Sequence, residues 1–295
     1  MGPAIGALHV AGAGHDDPWT AWSPDPLLLG GAAVALALYV AGWSRLRRRG
    51  RSDLAGWLRA AAFGAGVSLI ALSVVSPLDE VGEHYLLFGH MAQHLLLADV
   101  GPLLIALGVA GPLSLFVLPR VVLRRVARAR PARAVLRVLG RPVTAFAAWT
   151  LVMVGWHVPA AYEYSLAHRW AHDLQHATML ASGLLVWLHI LAAVPRLNAS
   201  PGRRAGLALA VFAVGLVIAQ VLFLSGPLYD VYVDQPERLL GLSPGGDQAR
   251  AGLLMGTEQL LTLGTVAFML MWAHVERIGQ RSKVEPEATG PGGLE

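Results

Sequence analysis

Two pairs of histidines stand four residues apart in this chain, His90 with His94 in HMAQH and His172 with His176 in HDLQH. On a helix, side chains four apart share a face about one turn from each other. Each pair is therefore a ready chelate, since imidazole binds copper, zinc and iron. His157 stands in WHVP with Met153 one turn before it, and the His172 face runs back to His168 and on through Met179 to Gly183. Five imidazoles from three segments, His90, His94, His157, His172 and His176, are the expected metal ligands. Met153, Met179, Met255, Glu258, Asp99 and His168 are further candidates. Thioether is a soft donor that favours Cu(I), so copper is the expected ion, with zinc and haem as alternatives. Metals need neutral imidazole, so affinity should fall as pH drops through about 6.5.

The elements that carry these residues are apolar. Of 295 residues, 55% are hydrophobic and 14% charged, too apolar a balance for an ordinary soluble domain. The segment HYLLFGHMAQHLLLADVGPLLIALG, residues 84–108, is long enough to span a bilayer and holds three histidines and Asp99. An ionisable group in hydrocarbon costs about 2.5–3.5 kcal/mol on insertion scales, so each is a functional candidate by default. Six further apolar stretches, 27–43, 57–75, 143–157, 170–194, 205–225 and 251–274, complete an all-α polytopic membrane protein of seven expected transmembrane helices.

Orientation follows from the basic residues. The tracts 45–59, 120–141, 196–204 and 277–283 hold 20 of the 23 Lys and Arg, and all fall on one side of the expected topology. The positive-inside rule then puts the amino terminus outside and the carboxyl terminus in the cytoplasm of a plasma membrane. Residues 1–26 lack a basic leader and read as a flexible outer tail, and 276–295 as a cytoplasmic one. Within the membrane domain, 27–275, residues 112–141 mix Leu and Val with Arg at near-helical spacing, the pattern of an amphipathic helix lying on the cytoplasmic lipid surface. Most of the histidines fall in the outer half. His84 and His168 sit at the rim, His189 lies off the stripe near the inner end, and His9, His15 and His274 stand apart.

Several functions are excluded. With no cysteine there are no disulfides, thiolate metal sites or cysteine nucleophiles. The net charge of +4 comes mainly from arginines flanking apolar runs, which argues against nucleic-acid binding. No P-loop, dinucleotide fingerprint, nucleophile elbow or HExxH is present, so a non-enzymatic role is expected. The competing readings are a metal transporter, an intramembrane zinc hydrolase using Asp99 or Glu258 as base, a haem protein, and a scaffold whose histidines bond between helices. Asp99 lies about 180° around from His90 on a regular helix. It therefore needs a local distortion near Gly101 and Pro102 to join the ligand face, or a separate partner such as Gln220 or Glu258.

HMAQHLLL followed by GPLLIALGVAGPL, then WHVPAAYEYSL and the pair in AHDLQHATM, resembles the seven-span CtaG-type cytochrome c oxidase assembly factors associated with caa-type terminal oxidases. The likeness covers roughly residues 27–275. It implies a role in maturing a haem-copper oxidase, whose subunits would be the partners, and in handling copper for it. It differs from the single-span, cysteine-bearing copper chaperones that share the CtaG label.

Overall fold

The computed structural model describes residues 17–197 and 199–284, and every regular element among them is helical. His9 and His15, with most of the expected outer tail and the end of the cytoplasmic one, lie outside the described residues. The chain opens with α1, Pro26–Arg47, and α2, Trp57–Val75. Proline at the first position and an Asp25 carboxylate accepting from Leu27 and Leu28 N–H at 2.8 and 3.0 Å start α1. Pro77 then opens a short helix, α3, Pro77–His84, where an acidic loop was expected.

The histidine-bearing span starts at Leu87, three residues later than expected. It is built from α4, Leu87–Leu95, a π turn over Leu96–Val100, and α5, Gly101–Val109. Pro102 has no N–H to offer the carbonyl of Ala98, and the Gly101 N–H reaches back to Leu96 O instead. The distortion expected beside Gly101 and Pro102 is this widened turn.

The arginine-rich stretch folds as three short helices, α6 (Leu113–Val117), α7 (Arg120–Arg128) and α8 (Arg130–Leu139). Then come α9, Pro142–His157, α10, Pro159–Ala167, in what was expected to be a loop, and α11, Arg169–Ile190. The remainder is α12, Pro201–Leu224, the short α13, Asp230–Val233, α14, Pro244–Gln259, a second π turn over Leu260–Gly264, and α15, Thr265–Val284.

Five described helical stretches are long and apolar enough to cross a membrane: α1, α2, α4 through α5, α12, and α14 through α15. A sixth results if α8 and α9, bent by 78°, count as one. The expected span 170–194, observed as α11, has the length but carries Arg169, His172, Asp173, Gln175 and His176 in its first two turns, which lower its hydropathy. Its buried residues nevertheless include His172, Gln175, His176, Met179, Gly183, Val186 and Trp187.

Close backbone approach sets how the histidine helices meet. A Cβ on Gly183 of α11 would stand 1.9 Å from the Ala98 carbonyl oxygen, the group left without its usual donor by Pro102. Only glycine lets α11 rest on the π turn there. Gly82 of α3 plays the same part against α4, where an added Cβ would lie 2.9 Å from His90 Cα. The apolar core around Ala98, Trp149, Met153, Met179 and Trp187 lies beside this junction.

Candidate metal centre

The two pairs meet. His90 and His94 from α4 and His172 and His176 from α11 each offer a ring nitrogen, and these four atoms lie within 4.8 Å of one another. Ring centroids are 4.2 Å apart for His90 and His94, 4.1 Å for His172 and His176, 5.5 Å for His90 and His172, and 5.4 Å for His94 and His176. None of the four is more than 9% exposed, so their nitrogens cannot turn to water for partners.

Within the group the nitrogens are under-satisfied. His90 and His94 face each other Nε2 to Nε2 at 2.8 Å, so one must carry the proton that the other accepts. His172 Nδ1 donates to Glu83 Oε1 at 2.7 Å, and its Nε2 is buried with no hydrogen-bond partner. His176 Nε2 and His94 Nδ1 are likewise buried without one. Leaving a buried polar atom unpaired costs about 1–3 kcal/mol, and here several are held side by side. An ion bound among the four rings would relieve part of that cost.

Glu83 is the residue that sequence reasoning did not single out, although it stands in the acidic run before the span. Through α3 it supplies the carboxylate–imidazole contact that commonly orients a metal-bound histidine. Burial works to raise the Glu83 carboxyl, but the hydrogen bond and charge of His172, with His84 and Arg169 adding, more than offset it and hold it below the usual carboxylate range. Next to it, burial and the Glu83 charge push Asp79 up to about 7. Asp79 accepts a hydrogen bond from Gln93, whose Nε2 also donates to Ser73 O at 3.0 Å, and this ties α3 and α2 to the centre of HMAQH.

Longer-range contacts fix the start of α4. The Asp247 carboxylate, at the head of α14, accepts from the backbone N–H of Leu87 and Phe88 at 2.7 and 3.0 Å. It satisfies two of the free N–H groups at the helix start from 160 residues away in sequence. A tyrosine bridge lies over the site: Tyr162 and Tyr232 hydroxyls pair at 2.8 Å, Tyr232 donates to Gly82 O at 2.7 Å, and the Tyr162 ring is 5.2 Å from His90.

The other expected ligands fall elsewhere. His157 is not among the four grouped nitrogens; it donates Nδ1–H to Met153 O at 2.7 Å. It borders a cavity of about 30 Å³ below the group, together with His94, Met91, Met153, Met255, Trp149, Asp99 and Gln259. Asp99, turned by the π segment, also accepts from Trp187 Nε1 at 2.7 Å. Glu258 is half-buried and Gln220 is exposed. Met179 packs in the core, and His168 is exposed, stacked on Tyr164 at 4.0 Å. His84 bonds to Glu80, His189 donates to Leu185 O at 2.9 Å, and His274 packs on Gly202. Met91 and Gln259 were not among the expected site residues.

Two curated mycobacterial proteins are similar to this chain: "Uncharacterized protein Mb0105" of Mycobacterium bovis and "Uncharacterized protein MT0111" of Mycobacterium tuberculosis. Each is 31% identical over 193 residues, covering 62% of this chain and 29% of the relative. The chain thus spans less than a third of the length of these relatives. No solved structure matches. A family model described as cytochrome c oxidase caa3 assembly factor (Caa3_CtaG) matches residues 37–277, the stretch that contains every residue of the four-imidazole group, and the chain belongs to that family.

Proposed function

We propose that this assembly factor binds copper through His90, His94, His172 and His176 and handles it for a haem-copper oxidase. One observation carries the reading: four buried imidazoles from two helices bring their nitrogens within 4.8 Å, with Glu83 orienting one of them. The donor set suits copper, because imidazole binds it well and no thiolate is present to favour other soft ions. The crowding of the four rings supports a bare ion over haem, since neighbouring centroids 4.1–6.5 Å apart leave no slot for a macrocycle. A hydrolytic site would need a free carboxylate base at the ion, and the carboxylate at hand, Glu83, is already bonded to His172. The role we assign is therefore binding and transfer, without catalysis.

In this reading the chain crosses a bacterial plasma membrane seven times, with α9 and α11 as crossings. The amino terminus is outside and the histidine group lies in the outer half. The concentration of 20 of 23 basic residues on the opposite side supports that orientation, and α7 and α8 would rest on anionic cytoplasmic lipid. The oxidase subunits would be its clients. The test is copper content after reconstitution of the purified full chain, alongside the haem-copper oxidase spectrum of membranes from cells carrying the same variants. His94→Ala and His176→Ala should each lose the copper held by the four imidazoles, read as a drop in copper stoichiometry, and the oxidase together. A copper stoichiometry undiminished in both variants would defeat the reading.

A further inference from the structure

Below the four imidazoles, the 30 Å³ cavity is walled by His94 and by residues that the group does not use. Three of them are methionines from three different helices: Met91 of α4, Met153 of α9 and Met255 of α14, with exposures of 0%, 8% and 5%. His157 stands with them. A carbonyl oxygen only accepts, so the 2.7 Å bond from His157 Nδ1 to Met153 O fixes the proton on Nδ1. In the neutral ring, Nε2 is then a lone pair, and it is buried with no hydrogen-bond partner. Two further polar atoms on the lining residues are orphaned, His94 Nδ1 and Gln259 Oε1, on side chains each 4% exposed.

Ordinary core packing accounts for methionines but not for this company. A space of about 30 Å³ exceeds the 10–15 Å³ that one water needs. It is therefore large enough for an ion, and its wall combines soft thioethers with an imidazole lone pair. Thioether and imidazole together select a soft monovalent metal over hard divalent ions. Both helices that carry the floor are distorted at this level, by the π turn that holds Asp99 and by the one that follows Gln259. Such turns recur at functional sites.

We propose that this cavity is a second cation station, a thioether site for Cu(I), formed by Met91, Met153, Met255 and His157 Nε2. It extends the copper reading above by a separate site and does not require the upper one to be filled. His94 belongs to both walls: its Nε2 meets His90, and its ring also lines the cavity. An ion can therefore pass between stations by exchanging ligands around His94 without leaving the protein.

The test uses Ag(I) as the redox-inert analogue of Cu(I), titrated into the detergent-solubilised full chain, with X-ray absorption at the silver edge to identify the scatterers. Three chains are compared: wild type, Met153→Leu with Met255→Leu, and His172→Ala with His176→Ala. Leucine preserves methionine's volume closely enough for the fold to persist. Wild type should bind two equivalents with sulfur among the scatterers. The methionine variant should bind one, without sulfur, and the histidine variant one, with sulfur. The ion each variant retains reports that it is folded. One equivalent in wild type that survives the methionine changes and disappears with the histidine changes overturns the second station and leaves the upper site standing. Silver lost with the methionines but undiminished by the histidine changes supports the station and removes the four-imidazole reading. No silver at all overturns both.

Discussion

Changing Glu83 probes whether the imidazole group is held ready for an ion. His172 Nδ1 donates to the Glu83 carboxylate at 2.7 Å, which pins the ring and leaves Nε2 facing the other three histidines. Hydrogen bonds to a charged partner contribute about 1.5–3 kcal/mol, against 0.5–1.5 for neutral ones. Glu83→Gln keeps an acceptor oxygen but loses the charge, a difference of about 1 kcal/mol, and should weaken copper binding about fivefold. Glu83→Ala removes the acceptor and frees the ring, and loss of such a supporting partner costs about 10- to 100-fold in metal affinity. The assay is copper titration of the purified chain against a competing chelator, with the melting temperature of the metal-free protein as fold control. The ordering wild type, Gln, Ala is the signature. An alanine variant that melts normally and binds copper as tightly as wild type would refute the role given to Glu83.

Other perturbations have equally definite outcomes. Gly183→Ala drives a methyl into the Ala98 carbonyl and must push α11 off the π turn; a loss of about 1–3 kcal/mol or more, read as a lower melting temperature, should accompany weaker copper binding. Asp247→Ala leaves two N–H groups at the start of α4 without their cap and should destabilise by about 1–2 kcal/mol, most visibly as faster amide exchange at Leu87 and Phe88. Burial first, then the Glu83 charge, raises Asp79 to about 7 from its ordinary 3.8, so the folded state holds its proton more tightly than the unfolded chain. That preference makes stability fall as pH rises from about 4 to about 7. Asp79→Asn should then raise the melting temperature at pH 8 and leave it unchanged below pH 4, and an equal change at both would contradict the assignment.

The ligand pairs and most of the helices were legible because both depend on local spacing. Four-residue intervals put His90 with His94 and His172 with His176 whatever else the fold does, and apolar length marks α1, α2, α4–α5, α12 and α14–α15. What stayed hidden depends on contacts between segments far apart in sequence. Glu83 reads as a loop acid until α3 folds against α4 through Gly82, and Asp247 caps a helix that begins 160 residues earlier. The need for a distortion beside Asp99 was visible in Gly101 and Pro102. Its partner, the Trp187 indole, was not, because an indole in an apolar run signals only a membrane boundary or core. His157 looked like a fifth member of the group from its depth alone; its Nδ1 is taken by Met153 O one turn back in its own helix, and its place beside the cavity depends on how α9 packs against its neighbours. Met91, inside HMAQH, had no periodicity to set it apart from its apolar neighbours.

The central claim is that imidazoles of α4 and α11 share one copper ion, and anomalous scattering at the copper edge from crystals of the copper-loaded chain tests it most directly. The expected result is a peak enclosed by His90, His94, His172 and His176, absent when His172 and His176 are both alanine. Copper-loaded crystals whose anomalous map is empty among those four rings would contradict it.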